Sequence, residues 1–211
     1  MVIAPVDPYG LADVLADVKD AEIEIPVISY DDLIMNTDGI KYYVTFGGRQ
    51  VGQMIAKQII DSEELDKVQE AKESKTIEFF MGSLDDTQAL FFYNGLMEKL
   101  QPYLDDGTLV CKSGQITFEE TGILRWSMDE AQSRAEDILE EAYQDGEAPD
   151  IICTGFDGAA EGAVNALQNN GLTLGENWPM ITGVGCDSEA VRDIAESEIS
   201  CSVFMDRGEL A

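Results

Sequence analysis

The chain reads as an α/β protein built on parallel sheets. Its apolar runs, Ile151–Thr154 and Met180–Val184 the clearest, lack polar alternation, as strands covered on both faces must. Between such runs apolar residues recur at helical spacing, as Ala160, Ala163, Val164 and Leu167 do before Gly171 closes the segment. Aspartates stand where strands give way to helices or loops: Asp7, Asp31 and Asp32, Asp85 and Asp86, Asp157, and Asp187.

Taken in order, Val2–Val6 reads as a buried strand ending at Asp7, and a helix runs from about Leu11 to Ala21. Pro26–Tyr30 and the aromatic, β-branched Tyr42–Phe46 are the next strands. After Gly47 and Gly48, Gln50–Ile60 places Val51, Met54, Ile55 and Ile59 on one helical side. The stretch SEELDKVQEAKESK reads as a solvated helix tail and loop. Thr76–Met81 is a strand, Thr87 to about Leu100 a helix, and Thr108–Lys112 a short strand. GQITFEETGILRW shows no clear periodicity and reads as a loop, before a helix over Ser127–Ala142 whose SMDE start fits a capping box. A helix opening at Asp157, another at Glu189–Ala195 and a strand at Ser202–Phe204 complete the pattern.

Five strands follow Thr76, enough for one doubly wound domain, whereas only three precede Gly47. Residues 1–46 are therefore expected to be part of an N-terminal lobe, 47–204 the C-terminal lobe and 205–211 the start of a return crossover. An incomplete lobe of this kind exposes apolar strand edges that invite pairing with another copy.

Of 211 residues, 45% are hydrophobic, which supports a packed core. Forty-two acids against 13 bases give a net charge of -29, so nucleic acid and anionic membrane surfaces are poor partners and none is expected. With no histidine, the commonest general base and zinc ligand is missing. Cys111, Cys153, Cys186 and Cys201 form no CxxC pair and read as buried free thiols, with no disulfide connectivity specified. No apolar run approaches a membrane span, and no signal peptide is visible.

Carboxylates accept paired hydrogen bonds from vicinal hydroxyls, the donor array a sugar presents. The strand-end aspartates fit that chemistry, because parallel strands present their carboxyl ends on one edge where ligands bind. Helix capping is the competing explanation for Asp157 and Asp187. Trp126 either stacks on the apolar face of a sugar ring or anchors the core. Scattering over separate turns ranks a Ca²⁺ or Mg²⁺ site lower. There is no GxSxG elbow, P-loop or GxGxxG, so no enzymatic activity and no cofactor or metal is expected.

The segments VIAPVD, PVISYDDLI, YYVTFG, GSLDDTQA with LQPYLDDGTLV, FDGAAEGAVNALQNNGL and GVGCD resemble the type I periplasmic sugar-binding proteins of ABC importers. The match is nearest to the xylose and multiple-sugar-binding branch and covers nearly the whole chain in unbroken order. Family members carry further strand-helix units before VIAPVD and continue past SVFMDRGELA, so the chain is expected to be a fragment whose N-terminal lobe is incomplete. The resemblance implies the type I periplasmic-binding-protein fold: two doubly wound parallel-sheet lobes joined by a hinge that closes on a monosaccharide, a pentose or hexose. It also implies an ABC permease as partner, and a location in the periplasm or on a membrane-anchored extracellular lipoprotein.

Position by position, Asp7 matches the aspartate of the N-terminal lobe that takes a sugar hydroxyl, Gln88 the amide after the GSxDD turn with Asp86 beside it, and Trp126 the stacking aromatic. Asp187 matches a carboxylate of the second lobe, and Asp157 an aspartate usually preceded by asparagine. Three positions depart from the family: Asp32 where arginine is common, Phe156 where asparagine is usual, and Met205 where Lys, Asn or Gln is frequent. Phe156 and Met205 add apolar surface in place of polar partners, and the departures imply a different sugar, a deoxy or substituted one, or a less polar ligand. The same architecture serves as the effector domain of LacI-type repressors, the alternative reading.

Overall fold

The computed structural model describes residues 1–20, 25–143, 146–175 and 177–210. It divides into two units, Met1–Gly47 with Asp206–Ala211, and Gly48–Met205. The sheets are parallel and mixed with helices throughout, an α/β fold.

The first unit contains β1 (Val2–Ile3), α1 (Ala12–Asp20), β2 (Val27–Tyr30) and β3 (Ile40–Val44), with strand order β1-β2-β3. Its core is small: Leu15, Val27 and Ile34 are buried, with Ile3, Leu11 and Ile40 packed against them. β1 is shorter than the apolar run Val2–Val6. Pro5 has no N–H for a ladder, and the Asp7 carboxylate accepts the Tyr9 N–H at 2.9 Å, turning the chain. β3 starts earlier than its aromatic run because Ile40 already pairs with Val27. The expected end of the first helix at Ala21 lies outside the described residues.

The second unit runs α2 (Gly48–Ser62), α3 (Leu65–Ala71), β4 (Lys75–Phe80), α4 (Thr87–Asp105), β5 (Leu109–Val110), α5 (Phe118–Thr121), α6 (Met128–Ala142), β6 (Ile151–Thr154), α7 (Asp157–Asn169), β7 (Met180–Gly185), α8 (Ser188–Ala195) and β8 (Cys201–Phe204). A four-residue helix, α9 (Arg207–Leu210), follows in the first unit. The five strands lie in the order β5-β4-β6-β7-β8. Successive strand residues face opposite layers. Ile77, Phe79, Ile151 and Cys153 pack with Ile55, Ile59, Leu96 and Leu100 of α2 and α4. Phe80, Ile152 and Ile181 pack with Ile138, Leu139, Ala163 and Leu167 of α6 and α7. α2 and α4 approach to backbone contact: a Cβ on Gly95 would lie 2.0 Å from the Arg49 carbonyl oxygen.

Several segments differ from their sequence reading. The charged SEELDKVQEAKESK stretch holds α3, nucleated by the fully buried Leu65. α4 continues through Pro102 because Leu100, Tyr103 and Leu104 keep its apolar stripe on the core. The supposed loop before Ser127 contains α5, where Thr117 and Glu120 cap each other's backbone N–H groups. Glu78 interrupts the apolar β4 and is buried, yet its carboxylate accepts Tyr143 Oη at 2.9 Å and the Ser113 N–H at 3.0 Å. Those partners offset the cost of burying a charge. All four cysteines are free; Cys153 is buried and the other three half-buried. Among the described residues no helix is long and apolar enough to cross a membrane.

Candidate functional site at the carboxyl edge of the sheets

In the five-stranded sheet the chain leaves β4 toward β5 on one side and then builds β6, β7 and β8 on the other. The order reverses between β4 and β6, and the carboxyl ends of strands at such a reversal form the natural ligand crevice of an open α/β sheet.

At the end of β4, Asp86 is the N-cap of α4, its Oδ1 accepting the Gln88 N–H at 2.7 Å. Gln88 is thereby fixed in the first turn, with its amide oxygen against Gly48. Ser83 Oγ donates to Asp85 Oδ1 at 2.5 Å and accepts the Arg125 N–H at 2.9 Å. That bond ties the β4 turn to a 3-10 turn over Leu124–Trp126. Arg125 and Trp126 both adopt left-handed backbone, φ 54° and 56°. For residues other than glycine such conformations are strained and persist where the surroundings hold them. Trp126 remains 38% exposed. Its indole lies over Gly82 and meets the Phe156 ring edge to face, with centroids 5.2 Å apart. The two aromatic positions are thus neighbours at the reversal point.

The two successive aspartates divide their roles. Asp187 is the N-cap of α8, accepting the Ala190 N–H at 2.8 Å through Oδ1, and it is exposed. Its Oδ2 has no partner among the described residues. Asp157 is not a cap; that position belongs to Phe156, which has no capping side chain. Asp157 is instead the first helical residue and only 3% exposed. Its Oδ1 accepts Ser202 Oγ at 2.6 Å and its Oδ2 accepts the Asp187 N–H at 3.0 Å. The glycines of GVG make room for it, since a Cβ on Gly183 would lie 2.5 Å from Asp157 Oδ1. Asp157 therefore laces β6, β7 and β8 together and holds Asp187 in place. Burial and the carboxylates of Asp187, Asp193, Glu189 and Asp157 push Glu161, on α7, up to about 7.

Met205 follows β8 half-buried and packs against the core on the α2 and α4 side. In the first unit, the Met35 N–H donates to the Pro8 carbonyl at 2.7 Å, joining the turn after β1 to the loop after β2. Asp7 is exposed in that turn, and Asp32 lies half-buried in that loop, where its carbonyl oxygen accepts Ser29 Oγ at 2.5 Å. Each unit thus gathers its own strand-end acids on one sheet edge. The contacts that the sequence did not disclose are those of Ser83, Gly82 and Ser202, small residues whose importance comes only from what they touch.

Chemically, the edge of the second unit offers carboxylate oxygens to hydroxyl donors and an indole to a ring with an apolar face. The carboxylates of Asp193, Glu196 and Glu198 place ligand atoms within 4.8 Å of one another. They precede β8, at the opposite end of its strand, and Arg192 already pairs with Asp193 at 3.0 Å.

A family model described as periplasmic binding protein domain matches residues 1–211. The multiple sugar-binding periplasmic receptor ChvE of Rhizobium radiobacter is 38% identical over 212 residues, covering 100% of this chain and 58% of that protein. The multiple sugar-binding periplasmic protein SbpA of Azospirillum brasilense is 36% identical, with the same coverage of 100% and 58%. The chain thus spans a little over half the length of these relatives. Among solved structures, an ABC transporter solute binding protein from Clostridium phytofermentans with bound β-D-glucose superposes with a TM-score of 0.89 at 37% identity, covering 99% of this chain and 62% of that one.

Proposed function

The chain belongs to the periplasmic binding protein domain family, and from that premise we propose that it is the sugar-recognising part of an extracytoplasmic receptor that delivers a monosaccharide to an ABC permease. One observation carries this reading: Trp126 and Phe156, distant in sequence, meet at the strand-order reversal, and Asp86 and Asp187 cap the helices that follow β4 and β7 on the same sheet edge. The names of the relatives support the ligand class, and the β-D-glucose in the Clostridium protein makes hexoses the first compounds to test.

In this reading Asp187 accepts ligand hydroxyls through its outer oxygen and Trp126 stacks on the ring. The ligand drives hinge closure to the extent that it binds the closed state better than the open one. No chemical step on the sugar is involved. A periplasmic or extracellular location follows from the same family reading. The repressor-effector alternative draws no support, since the relatives named above are periplasmic receptors. A thermal-shift screen against pentoses, hexoses and methyl glycosides tests the proposal. A concentration-dependent rise in Tm with at least one sugar is expected, and no shift with any of them overturns it.

A further inference from the structure

Resting on the sugar-binding reading, we infer that Phe156 sets the class of sugar, selecting one that carries an apolar group, a methyl or an O-methyl, where a common hexose carries a bare hydroxyl. Trp126 and Phe156 meet at an interplanar angle of 84°, so the face of one ring and the edge of the other line a single corner. Both rings are seated on glycine. A Cβ on Gly82 would lie 2.2 Å from Trp126 Cη2, and one on Gly158 would lie 3.2 Å from Phe156 Cε2. The corner is therefore fixed in advance, as is the strained turn that carries Trp126, and neither has to be ordered by the ligand.

The apolar walls at the end of β6 give a hydroxyl nothing to bond. The Phe156 side chain has no polar atom. Its carbonyl oxygen takes the Ala159 and Ala160 N–H groups at 3.2 and 3.3 Å. The adjacent Asp157 is turned inward with both oxygens engaged. Met128, 38% exposed, continues the apolar surface beside Phe156. A hydroxyl pressed against the Phe156 ring and Met128 loses water without gaining a partner from either, whereas a methyl group loses nothing there.

Calorimetric titration of the protein with matched pairs tests the inference: D-glucose against 6-deoxy-D-glucose and methyl β-D-glucopyranoside, and D-galactose against D-fucose. At least one deoxy or methylated member is expected to bind about tenfold more tightly than its parent. F156N is expected to reverse that order, and F156L to preserve it. The wild-type ratios decide the matter alone should F156N fold poorly. Parent sugars binding as tightly as their deoxy and methylated partners overturn the inference while leaving the sugar-binding reading intact. Silence from every sugar removes both.

Discussion

Asp157 and Asp187 look alike in the sequence, each an aspartate after a buried strand, yet one is a structural strut and the other an exposed cap. Replacing Asp157 by Ala leaves Ser202 Oγ and the Asp187 N–H without their acceptor, so unfolding in urea is expected to show a loss of about 2–4 kcal/mol. A loss under about 0.5 kcal/mol contradicts the strut. Asp187→Asn keeps a capping oxygen but removes the charge. It is expected to weaken sugar binding by about 1.5–3 kcal/mol in calorimetry with little change in Tm, because a hydrogen bond to a charged group is lost. Glu161 gives a pH signature. Burial and its acidic neighbours raise its folded value to about 7, above the ordinary carboxylate range, so the folded state holds a proton that the unfolded state has released. Stability from this group is present at low pH and is lost as pH rises toward and through about 7. Melting curves of Glu161→Gln should match wild type near the bottom of that window and exceed it above pH 7. Equal melting temperatures at both ends contradict the shift. The cap at Asp187 was legible, its partner Ala190 being three residues on, but the strut at Asp157 and the shift at Glu161 were not, since each depends on groups far apart in the chain.

The strand Ile151–Thr154 was readable from its unbroken apolar run, and the helix from Asp157 toward Gly171 because periodicity accumulates over many residues; both match the structure closely. Short or charged helices were not. α5 has four residues, too few to show a period, and only its Thr117 and Glu120 cap betrays it. α3 was hidden by its charge, because a single buried leucine does not outweigh a polar segment in a pattern search. Close packing was also invisible. Gly95 looks like a weak helix residue, whereas α2 touches its backbone. Gly95→Ala gains helix propensity, yet it is expected to cost at least about 2 kcal/mol in chemical denaturation through overpacking against the Arg49 carbonyl. An unchanged or raised midpoint contradicts that contact.

For the molecule as a whole, a net charge of -29 sets a global repulsion on which the local geometry is superimposed. Raising ionic strength from a few millimolar to about 0.15 M screens that repulsion. It is expected to raise Tm, and a fall would contradict charge repulsion as the dominant long-range term. The parallel α/β class and the strand series were legible in the sequence because binary pattern and turn chemistry specify them, whereas the family branch was legible only through the resemblance of segments such as VIAPVD and FDGAAEGAVNALQNNGL. The disposition of Phe156, Asp157 and Trp126 was not, because rotamers and seating glycines decide it. The decisive measurement is a calorimetric titration of wild type, D187N and W126A with the sugar that gives the largest thermal shift. If the carboxyl edge of the second unit binds the ligand, Kd rises at least about tenfold in each variant while circular dichroism stays native. A Kd unaltered in both variants places the sugar elsewhere.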